Sequence, residues 1–452
     1  MGFYESLVAA NDWLNNIVWG PPMLVLLVGT GIFITLALKV FQVSKISIWW
    51  KHTFGELFAK GPKDKADSNI TPFQAVSTAM ASTVGTGNIA GVATAIYLGG
   101  PGAIFWMWVS GFFGMMTKYA EIVLAVKYRN VDENGVHHGG PMYYIEKGLN
   151  MKWLAVIFAF FGTFATFGIG NMTQSNAIAG SINATFGVPT LVTGIIIAVL
   201  AGLVIIGGIK RIASVTEKLV PFMACFYILG GLIIVIANIG NLGSAIGLIF
   251  AGAFSLESVG GGIMGYVMMQ AMRRGIARGV FSNEAGLGSA PIAHAASKTK
   301  DPVKQALWGI FEVFVDTIII CTLTGLVILT TGLYRGDASG AALVIASFSK
   351  TFGSFGGVFV SIAILCFAGS TILGWSYYGE QCLGYMTKNN KNVGMVYKVV
   401  FCLLAIVGAT GGLHFIWDVA DTLNGLMAIP NLIALVLLSK VIFSLTKKYL
   451  ET

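Results

Sequence analysis

Long apolar runs separated by short polar segments make up most of the chain. A helix that crosses a membrane needs about 20 mostly apolar residues. Eleven runs are of about this length or longer, and they lie near residues 19–41, 71–99, 102–127, 152–182, 189–208, 214–238, 257–297, 303–333, 353–386, 394–411 and 413–445. The pattern predicts an all-α membrane protein with eleven transmembrane helices.

Three of these runs are longer than one span requires and contain polar interruptions. The runs at 71–99, 257–297 and 353–386 carry clusters of glycine with serine, threonine or asparagine. Glycine in a helix costs backbone entropy, and short polar side chains compete for backbone hydrogen bonds. We expect each of the three runs to be broken or to include an additional surface helix.

Lysine and arginine test this division, because they collect on the cytoplasmic side of membrane proteins. When the five basic residues inside the spans are left out, 21 lie on one set of alternating loops, span ends and the C-terminus, and only Arg335 and Lys350 lie on the other set. This predicts a plasma-membrane protein with its N-terminus outside and its C-terminus in the cytoplasm. The amphipathic segment 41–68 is expected to lie at the inner membrane surface.

Composition limits the classes of function. Hydrophobic residues make up 56% of the chain and charged residues 11%, against about a quarter charged in soluble domains, so the lipid bilayer is the expected surrounding. The net charge of +8 follows from the one-sided loops and does not indicate nucleic acid. The histidines are scattered, and neither a His-Glu-x-x-His motif nor a Gly-x-Ser-x-Gly motif with a fitting partner occurs, which argues against an enzyme. No obligate protein partner is evident.

Two glycine pairs occupy corresponding places in the chain. Gly85 and Gly87 lie in the first, and Gly286 and Gly288 in the sixth, of the ten spans that follow the amphipathic segment. Matching interruptions in two halves of five spans are typical of inverted-repeat transporters, although close helix packing is an alternative explanation. The predicted regions are an additional helix with the amphipathic segment and then two five-helix repeats, namely 1–70, 71–240 and 241–452.

Glu284 is the most informative single residue of the second interruption. A carboxylate inside the bilayer is costly unless it is paired or solvated. Glu284 is therefore either functional or paired, with an arginine of the same span (Arg273, Arg274 or Arg278) as the candidate partner. Because intramembrane carboxylates also carry protons, a proton-coupled transporter that titrates Glu284 or Asp316 remains an alternative.

Lys118 and Glu121 are a second set of charged residues inside a span. They are three residues apart and so share a helix face. We expect them to neutralise each other and not to form a site.

Two groups of neutral polar residues lie in other spans. Ser370 and Thr371 follow Phe367 in an apolar run, where their hydroxyls could bind sodium or the carbonyls of their own helix. The fourth span carries a cluster that could line a substrate cavity or bond to neighbouring helices, formed by Asn171, Gln174, Ser175 and Asn176.

At these residues the sequence resembles a known family. Residues 99–114 read GGPGAIFWMWVSGFFG and residues 281–291 read FSNEAGLGSAP; both are similar to signatures of the alanine/glycine:cation symporter family, and the resemblance covers nearly the whole chain. It implies sodium- or proton-driven uptake of alanine or glycine, with sodium as the expected coupling ion. It also implies a leucine-transporter-like fold preceded by one additional helix.

The similarity of residues 84–88 to the first core helix of the bacterial leucine transporter implies roles for individual residues. The substrate carboxylate would meet backbone amides of the first interruption, and the amino group would meet the second. The residues that the similarity implies for the substrate are Thr86, Gly87, Phe281, Ser282 and Glu284. The residues themselves add Gly85 of the first glycine pair, Gln174 of the polar cluster on the fourth span and Leu287, which with Phe281 is bulky enough to keep the pocket small. Those implied for sodium are Ala81, Val84, Phe367, Ser370 and Thr371. Asn88 and Ser282 could contribute to a second sodium site, but its partner asparagine is not identifiable, so one sodium per cycle is expected.

Overall fold

The computed structural model describes residues 3–57, 69–254, 261–411 and 414–451, which are almost entirely helical. The helices of the first half are α1 Phe3–Val18, α2 Pro21–Ala37, α3 Phe41–Ser44, α4 Ile46–Leu57, α5 Pro72–Thr83, α6 Val92–Gly99, α7 Ala103–Tyr128, α8 Pro141–Leu149, α9 Lys152–Phe167, α10 Thr173–Phe186, α11 Thr190–Ile205 and α12 Gly208–Ala237. Those of the second half are α13 Leu242–Ala253, α14 Gly261–Asn283, α15 Ala290–Ala295, α16 Pro302–Val313, α17 Thr322–Thr331, α18 Gly340–Phe352, α19 Phe355–Thr387, α20 Lys391–Thr410, α21 His414–Leu437 and α22 Ser439–Glu451.

Short irregular elements join some of these helices. π-helical segments connect α5 to α6, α9 to α10 and α16 to α17, at Gly87–Gly91, Gly168–Met172 and Phe314–Cys321. Single 3-10 turns lie at Ile239–Asn241 and Leu333–Arg335. The strands β1 Asn130–Val131 and β2 His137–His138 pair antiparallel, with Asn130 opposite His138.

Within the described residues, eight helical stretches are long and apolar enough to cross a membrane: Glu5–Ala37, Ala103–Tyr128, Lys152–Phe186, Gly208–Ala237, Pro302–Thr331, Phe355–Thr387, Lys391–Thr410 and Asp418–Leu437. Shorter apolar helices lie at Gly87–Gly99, Thr190–Ile205, Ile239–Ala253 and Gly340–Phe352. The chain is therefore an all-α, multi-pass membrane protein.

Breaks occur at both glycine pairs, as predicted. Helix α5 begins at a capping box, in which the Thr71 and Gln74 side chains each accept a hydrogen bond from the other's backbone amide, and ends at Thr83. Residues 84–86, which we call the first break, separate it from the following π-helical segment. Helix α14 ends at Asn283 and α15 begins at Ala290, so residues 284–289 form the second break.

The expectation that 353–386 is broken or includes an additional surface helix is wrong, because a single helix, α19, runs without interruption over 33 residues of this region. Its glycines allow neighbouring helices to pack closely against α19, and the backbone stays helical at these positions. A Cβ on Gly374 would lie 2.0 Å from Ser82 Oγ of α5, and one on Gly379 would lie 2.0 Å from Tyr397 Oη of α20. The preceding helix, α18, ends at Phe352, before this run begins.

Helix α7 lies against α2, α14 and α16, and its Glu121 contacts the second break. Small residues allow the close approach: a Cβ on Gly275 would lie 2.3 Å from the Ala103 carbonyl oxygen, and one on Gly31 would lie 2.8 Å from that of Phe113. The amphipathic segment forms α3 and α4, and its residues 58–68 lie outside the described part of the chain. Trp49 of α4 is buried and Trp50 is exposed.

Candidate functional site: two broken helices and the helices that face them

The first break is stabilised by a side chain from its own segment. The last carbonyls of an α-helix and the first amides of the next one have no partner within a helix. Here Asn88 Oδ1 accepts a hydrogen bond from the Gly85 amide at 2.9 Å. Val84 has φ −78° and ψ 89°, outside the helical region, so the chain turns away from α5 at this residue.

Gln174 of α10 reaches the first break from a different helix. Its Oε1 accepts a hydrogen bond from Thr86 Oγ1 at 3.1 Å and a long one from the Thr86 amide at 3.5 Å. Its Nε2 donates to the carbonyl of Ile169 at 3.0 Å, in a π-helical segment. Gln174 and Thr86 are both buried.

The other polar residues of the α10 region bond to neighbouring helices or to their own helix. Asn171 Nδ2 donates to the Phe401 carbonyl and Asn176 Nδ2 to the Gly408 carbonyl, both of α20. Ser175 donates to the Asn171 carbonyl of its own helix. Gln174 is thus the member of this cluster that contacts the first break.

Both glycines of the first pair lie where a side chain would be in tight contact with a predicted site residue, most severely at Gly85. A Cβ on Gly85 would lie 2.5 Å from Thr371 Oγ1 and 3.6 Å from Gln174 Oε1. A Cβ on Gly87 would lie 3.3 Å from the Cα of Ser282 and 3.5 Å from the ring of Phe281. The structure therefore brings Gly85, Gln174 and Thr371 together, and places Gly87 against the end of α14.

The residues implied for sodium form a second group beside the first break. Ser370 Oγ donates to the Ala81 carbonyl at 3.1 Å and to the Phe367 carbonyl at 2.8 Å. Thr371 Oγ1 donates to the Phe367 carbonyl at 3.0 Å, so both hydroxyls also bond to their own helix. A hydroxyl that donates one hydrogen bond keeps lone pairs for a cation.

Glu284 opens the second break in a left-handed backbone conformation, with φ 56°. Its carboxylate accepts hydrogen bonds from Ser289 Oγ at 2.5 Å and from Trp375 Nε1 at 2.8 Å. Among the described residues its partners are thus neutral donors, and the expected ion pair with an arginine of α14 is not formed. Trp375 of α19 was not identified from the sequence.

Glu121 of α7 holds the second break by its backbone. Its Oε1 accepts hydrogen bonds from the amides of Gly286 at 3.1 Å and Gly288 at 3.0 Å. Asn431 of α21 donates to the same oxygen at 2.6 Å and to the Gly286 carbonyl at 2.9 Å. Leu287, between the two glycines, is fully buried. These bonds use two amides that the break would otherwise leave without partners.

The expected pairing of Lys118 with Glu121 is wrong, because each residue binds a different element. Lys118 Nζ lies 3.2 Å from Glu312 Oε1 of α16, and His294 Nε2 of α15 lies 3.1 Å from Glu312 Oε2. All three side chains are fully buried. The shared helix face suggested a local pair, whereas tertiary partners on α15, α16 and α21 determine the actual contacts.

Asp316, in the π-helical segment after α16, links the residues just after the first break to the end of α14 just before the second break. Its carboxylate accepts hydrogen bonds from Asn88 Nδ2 at 2.6 Å, from Ser282 Oγ at 3.0 Å and from Thr317 Oγ1 at 2.8 Å. The sequence offered no asparagine as a common partner of Asn88 and Ser282. The common partner is instead an aspartate, Asp316. The only feature of the sequence that pointed to Asp316 was its position inside a span.

Comparison with known proteins identifies the family. The sodium:alanine symporter family matches over residues 4–452. The chain belongs to this family. The sodium/alanine symporter AgcS of Methanococcus maripaludis is 52% identical, over 99% of this chain and 98% of its own length. A Bacillus subtilis protein named as a candidate sodium/proton-dependent alanine carrier is 38% identical, over 96% of this chain and 91% of its own.

The fold is also found in solved transporters. MhsT, crystallised with L-phenylalanine, superposes with a TM-score of 0.59 at 16% identity, over 84% of this chain and 90% of that one. The chain is therefore a sodium-coupled amino-acid symporter with a leucine-transporter-like fold, and it is not an enzyme.

Proposed function

We propose that this symporter takes up alanine and glycine together with sodium by alternating access. The observation that carries the proposal is the close approach of Gly87, just after the first break, to Ser282, just before the second, where a Cβ on Gly87 would lie 3.3 Å from the Cα of Ser282. Gln174 and Thr371 lie beside Gly85 of the first break. A broken helix offers amides to a carboxylate and carbonyls to a cation. Two such elements next to each other provide both ends of an amino acid with partners.

The substrate carboxylate is proposed to bind at the amides of Gly85, Thr86 and Gly87. Gln174 holds Thr86 and so adjusts this end of the pocket. The substrate amino group binds at the other break, which contributes the carbonyls of Phe281 and Ser282 and the carboxylate of Glu284. Glu284 already accepts two hydrogen bonds, but a carboxylate has about four acceptor positions.

Bulky side chains restrict the proposed pocket to small substrates. Phe281 packs against Gly87, which has no side chain. Leu287 is buried within the second break. We expect alanine and glycine to compete for one site and leucine to compete poorly. Strong inhibition by leucine would contradict the small pocket.

Sodium is proposed to bind between α5 and α19. The carbonyls of Ala81 and Val84 come from the end of α5, where a helix leaves carbonyls without helical partners. The carbonyl of Phe367 and the hydroxyls of Ser370 and Thr371 come from α19. The contact between Ser370 and Ala81 at 3.1 Å supports this arrangement.

The architecture that fits this mechanism has eleven transmembrane helices. We propose an additional helix with the amphipathic segment at 1–70, a first five-helix repeat at 71–240 and a second at 241–452. The protein would lie in the plasma membrane, with its N-terminus outside the cell and its C-terminus in the cytoplasm. The bias of basic residues toward one set of loops supports this orientation.

A proton-coupled symporter of the same architecture is the second candidate. The observation that favours it is Asp316, a buried carboxylate that accepts hydrogen bonds from Asn88, next to the first break, and from Ser282, next to the second. Protonation of Asp316 would therefore change contacts beside both breaks. Buried intramembrane carboxylates serve as proton carriers in other transporters.

Counterflow of labelled alanine in proteoliposomes separates the two candidates. A sodium gradient and a pH gradient are imposed in separate experiments on the same preparation. We expect accumulation with the sodium gradient at uniform pH. Accumulation driven only by the pH gradient would replace sodium by protons, and the absence of alanine uptake with either gradient would reject the proposed substrate.

A further inference from the structure

A short β-hairpin between α7 and α8 lies on the face that carries most of the basic loops. Its strands are β1 and β2. The Asp132 side chain shapes the turn between them, because its Oδ1 accepts hydrogen bonds from the amides of Asn134 at 2.8 Å and Val136 at 2.9 Å. We call residues 129–138 the cytoplasmic hairpin, since the proposed orientation places them inside the cell.

The cytoplasmic hairpin is bonded to residues next to both broken helices. Asn69, just before α5, donates through Nδ2 to the Gly135 carbonyl at 2.9 Å and accepts from the His137 amide at 2.8 Å. After α15, the Ser297 carbonyl accepts from the Arg129 guanidinium at 2.7 Å and lies 2.8 Å from His137 Nδ1. The hairpin therefore holds the helix that precedes the first break and the helix that follows the second.

His138 connects the hairpin to α19 through both nitrogens of its ring. Nδ1 lies 2.8 Å from Gln381 Oε1 of α19, and Nε2 lies 3.3 Å from Asp132 Oδ2. An amide oxygen and an ionised carboxylate can only accept hydrogen bonds. A neutral histidine has one donor nitrogen, whereas both nitrogens of the imidazolium form donate. The two acceptors around His138 therefore fit its protonated form.

The carboxylate that faces His138 is ionised near neutral pH. Burial alone would raise the pKa of Asp132, but hydrogen bonds from the Val136 amide, from His138 and from the Asn134 amide lower this pKa below its usual value. Loss of a proton from His138 leaves the ring with one donor for two acceptors. His138 must then release Asp132 or Gln381, unless the Gln381 amide turns to donate.

Other titratable groups on the surrounding elements bond elsewhere or face solvent. They are Arg129, His137 and Lys147, which bond to backbone carbonyls, Glu380 and His294, which bond to Lys398 and Glu312, and Glu133, which is exposed. Helix α5 carries no charged residue. Among the described residues, Asp132 is thus the charged group paired with His138 within 4.0 Å.

We propose that His138 is a proton-binding switch that sets how firmly the cytoplasmic hairpin is held to α19. When both nitrogens carry a proton, His138 joins Asp132 to Gln381, and the hairpin ties the ends of α5 and α15 to α19. When one proton is lost, a contact is lost with it and these ends move more freely. Alternating access requires such movement on this side, so the inference rests on the proposed function.

The direction of the pH effect follows from the charge of the ring. Histidine changes its charge between about pH 5 and 8. The contacts of the protonated ring are complete at the acidic end of this range and are lost as the pH rises through it. We therefore expect acid in the cytoplasm to slow the passage of substrate across this face.

Alanine exchange in proteoliposomes tests the switch with equal sodium, alanine and pH on both sides, so that no gradient drives transport. Exchange by the parent should be about tenfold slower at about pH 5 than at about pH 8, the scale of one hydrogen bond to a charged group. His138→Gln should exchange at the faster rate throughout. His137→Gln is the matched control, because His137 needs one donor nitrogen for the Ser297 carbonyl, and it should keep the profile of the parent.

Two milder variants keep the test decisive if His138→Gln does not fold. Gln381→Glu places beside Nδ1 an acceptor that cannot turn to donate, and it should move the midpoint of the pH dependence up by about one unit. Asp132→Asn removes the charge beside Nε2 and should move the midpoint down by a similar amount. A midpoint that stays in place in both variants would overturn the switch.

Hydrogen exchange of the purified protein measures the cytoplasmic hairpin directly. After correction for the intrinsic rates, residues 129–138 should exchange faster at the alkaline end of the range in the parent and equally across it in His138→Gln. Matching pH profiles of the parent and His138→Gln overturn the switch and leave sodium-driven alanine uptake as it stands. A parent that takes up no alanine with either gradient rejects the proposed function, while hydrogen exchange still decides whether His138 binds the proton that holds the hairpin.

Discussion

The two helix breaks contain similar glycine pairs but have different partners. At the first break and at the end of α5 before it, neutral groups bond to the backbone: Asn88 accepts from Gly85, Gln174 accepts weakly from Thr86, and Ser370 donates to Ala81 of α5. At the second, the carboxylate of Glu121 accepts from two amides. A charged acceptor forms hydrogen bonds about twice as strong as a neutral one.

This difference suggests different tasks for the two breaks. The second break is fixed to α7 and α21 by Glu121 and Asn431, so its backbone amides are occupied. The first break is held by weaker, neutral contacts that a ligand could supplement or replace. We infer that the first break supplies most ligand atoms and that the second serves chiefly as a rigid wall.

The largest expected effect is the loss of the carboxylate at the second break. Glu121→Leu would leave the amides of Gly286 and Gly288 and the Asn431 side chain without their buried acceptor. We expect a loss of about 3–5 kcal/mol in the free energy of unfolding, the range seen when a buried polar network loses one member. Thermal unfolding of the purified protein measures it.

Glu121→Gln is the control for this prediction, because it retains one accepting oxygen. It should lose less stability than Glu121→Leu and keep measurable alanine uptake. Equal stability of Glu121→Leu and the parent would show that the second break does not depend on this carboxylate, and the contrast between the two breaks would disappear.

The next effect concerns sodium at the first break. Thr371→Ala removes one proposed ligand, and we expect sodium affinity to fall by about 1.5–3 kcal/mol, the scale of a hydrogen bond or contact to a charged group. Alanine affinity should then fall only through linkage, since sodium and substrate affect each other's binding equally. Alanine affinity measured across a wide range of sodium concentrations separates the two effects.

Saturating sodium should restore most of the alanine affinity of Thr371→Ala. Thr371→Ser, which keeps the hydroxyl, should behave more like the parent. A deficit that sodium does not repair would assign Thr371 to the substrate, and an unchanged sodium dependence would remove it from the ion site.

A smaller effect is expected at Gln174. Gln174→Ala removes the acceptor that holds Thr86 and should change the relative affinities for alanine and glycine by about 1–3 kcal/mol. Asn176→Ala is the matched control on the same helix, because Asn176 bonds to the carbonyl of Gly408. Competition with labelled alanine measures the ranking. A similar change in both variants would indicate helix packing in place of a role in the pocket.

Periodicity and glycine pairing predicted the all-α membrane class and both breaks, because these are local properties of the sequence. The same reasoning failed at α19, where Gly374 and Gly379 serve packing between helices and the backbone stays helical. It also failed for Glu121, whose partners are on the second break and on α21. Sequence spacing shows which residues share a helix face but not which distant helix lies against that face.

The smallest expected effect concerns Ser289, which orients Glu284 inside the second break. Ser289→Ala removes the hydrogen bond to Glu284 Oε2 but leaves that from Trp375 to Oε1. We therefore expect a loss of about 1 kcal/mol in stability, the net contribution of one hydrogen bond, and a KM for alanine raised by no more than about fivefold. Uptake at fixed sodium and thermal unfolding measure the two quantities.

Ser376→Ala is the control, because Ser376 is equally buried and donates to the Leu373 carbonyl of its own helix. If Ser289→Ala abolished uptake while Ser376→Ala did not, the second break would take a larger part in binding substrate than its fixed backbone suggests. If neither variant changed KM, Glu284 would be a structural residue of the break, and the amino group of the substrate would depend on the carbonyls of Phe281 and Ser282.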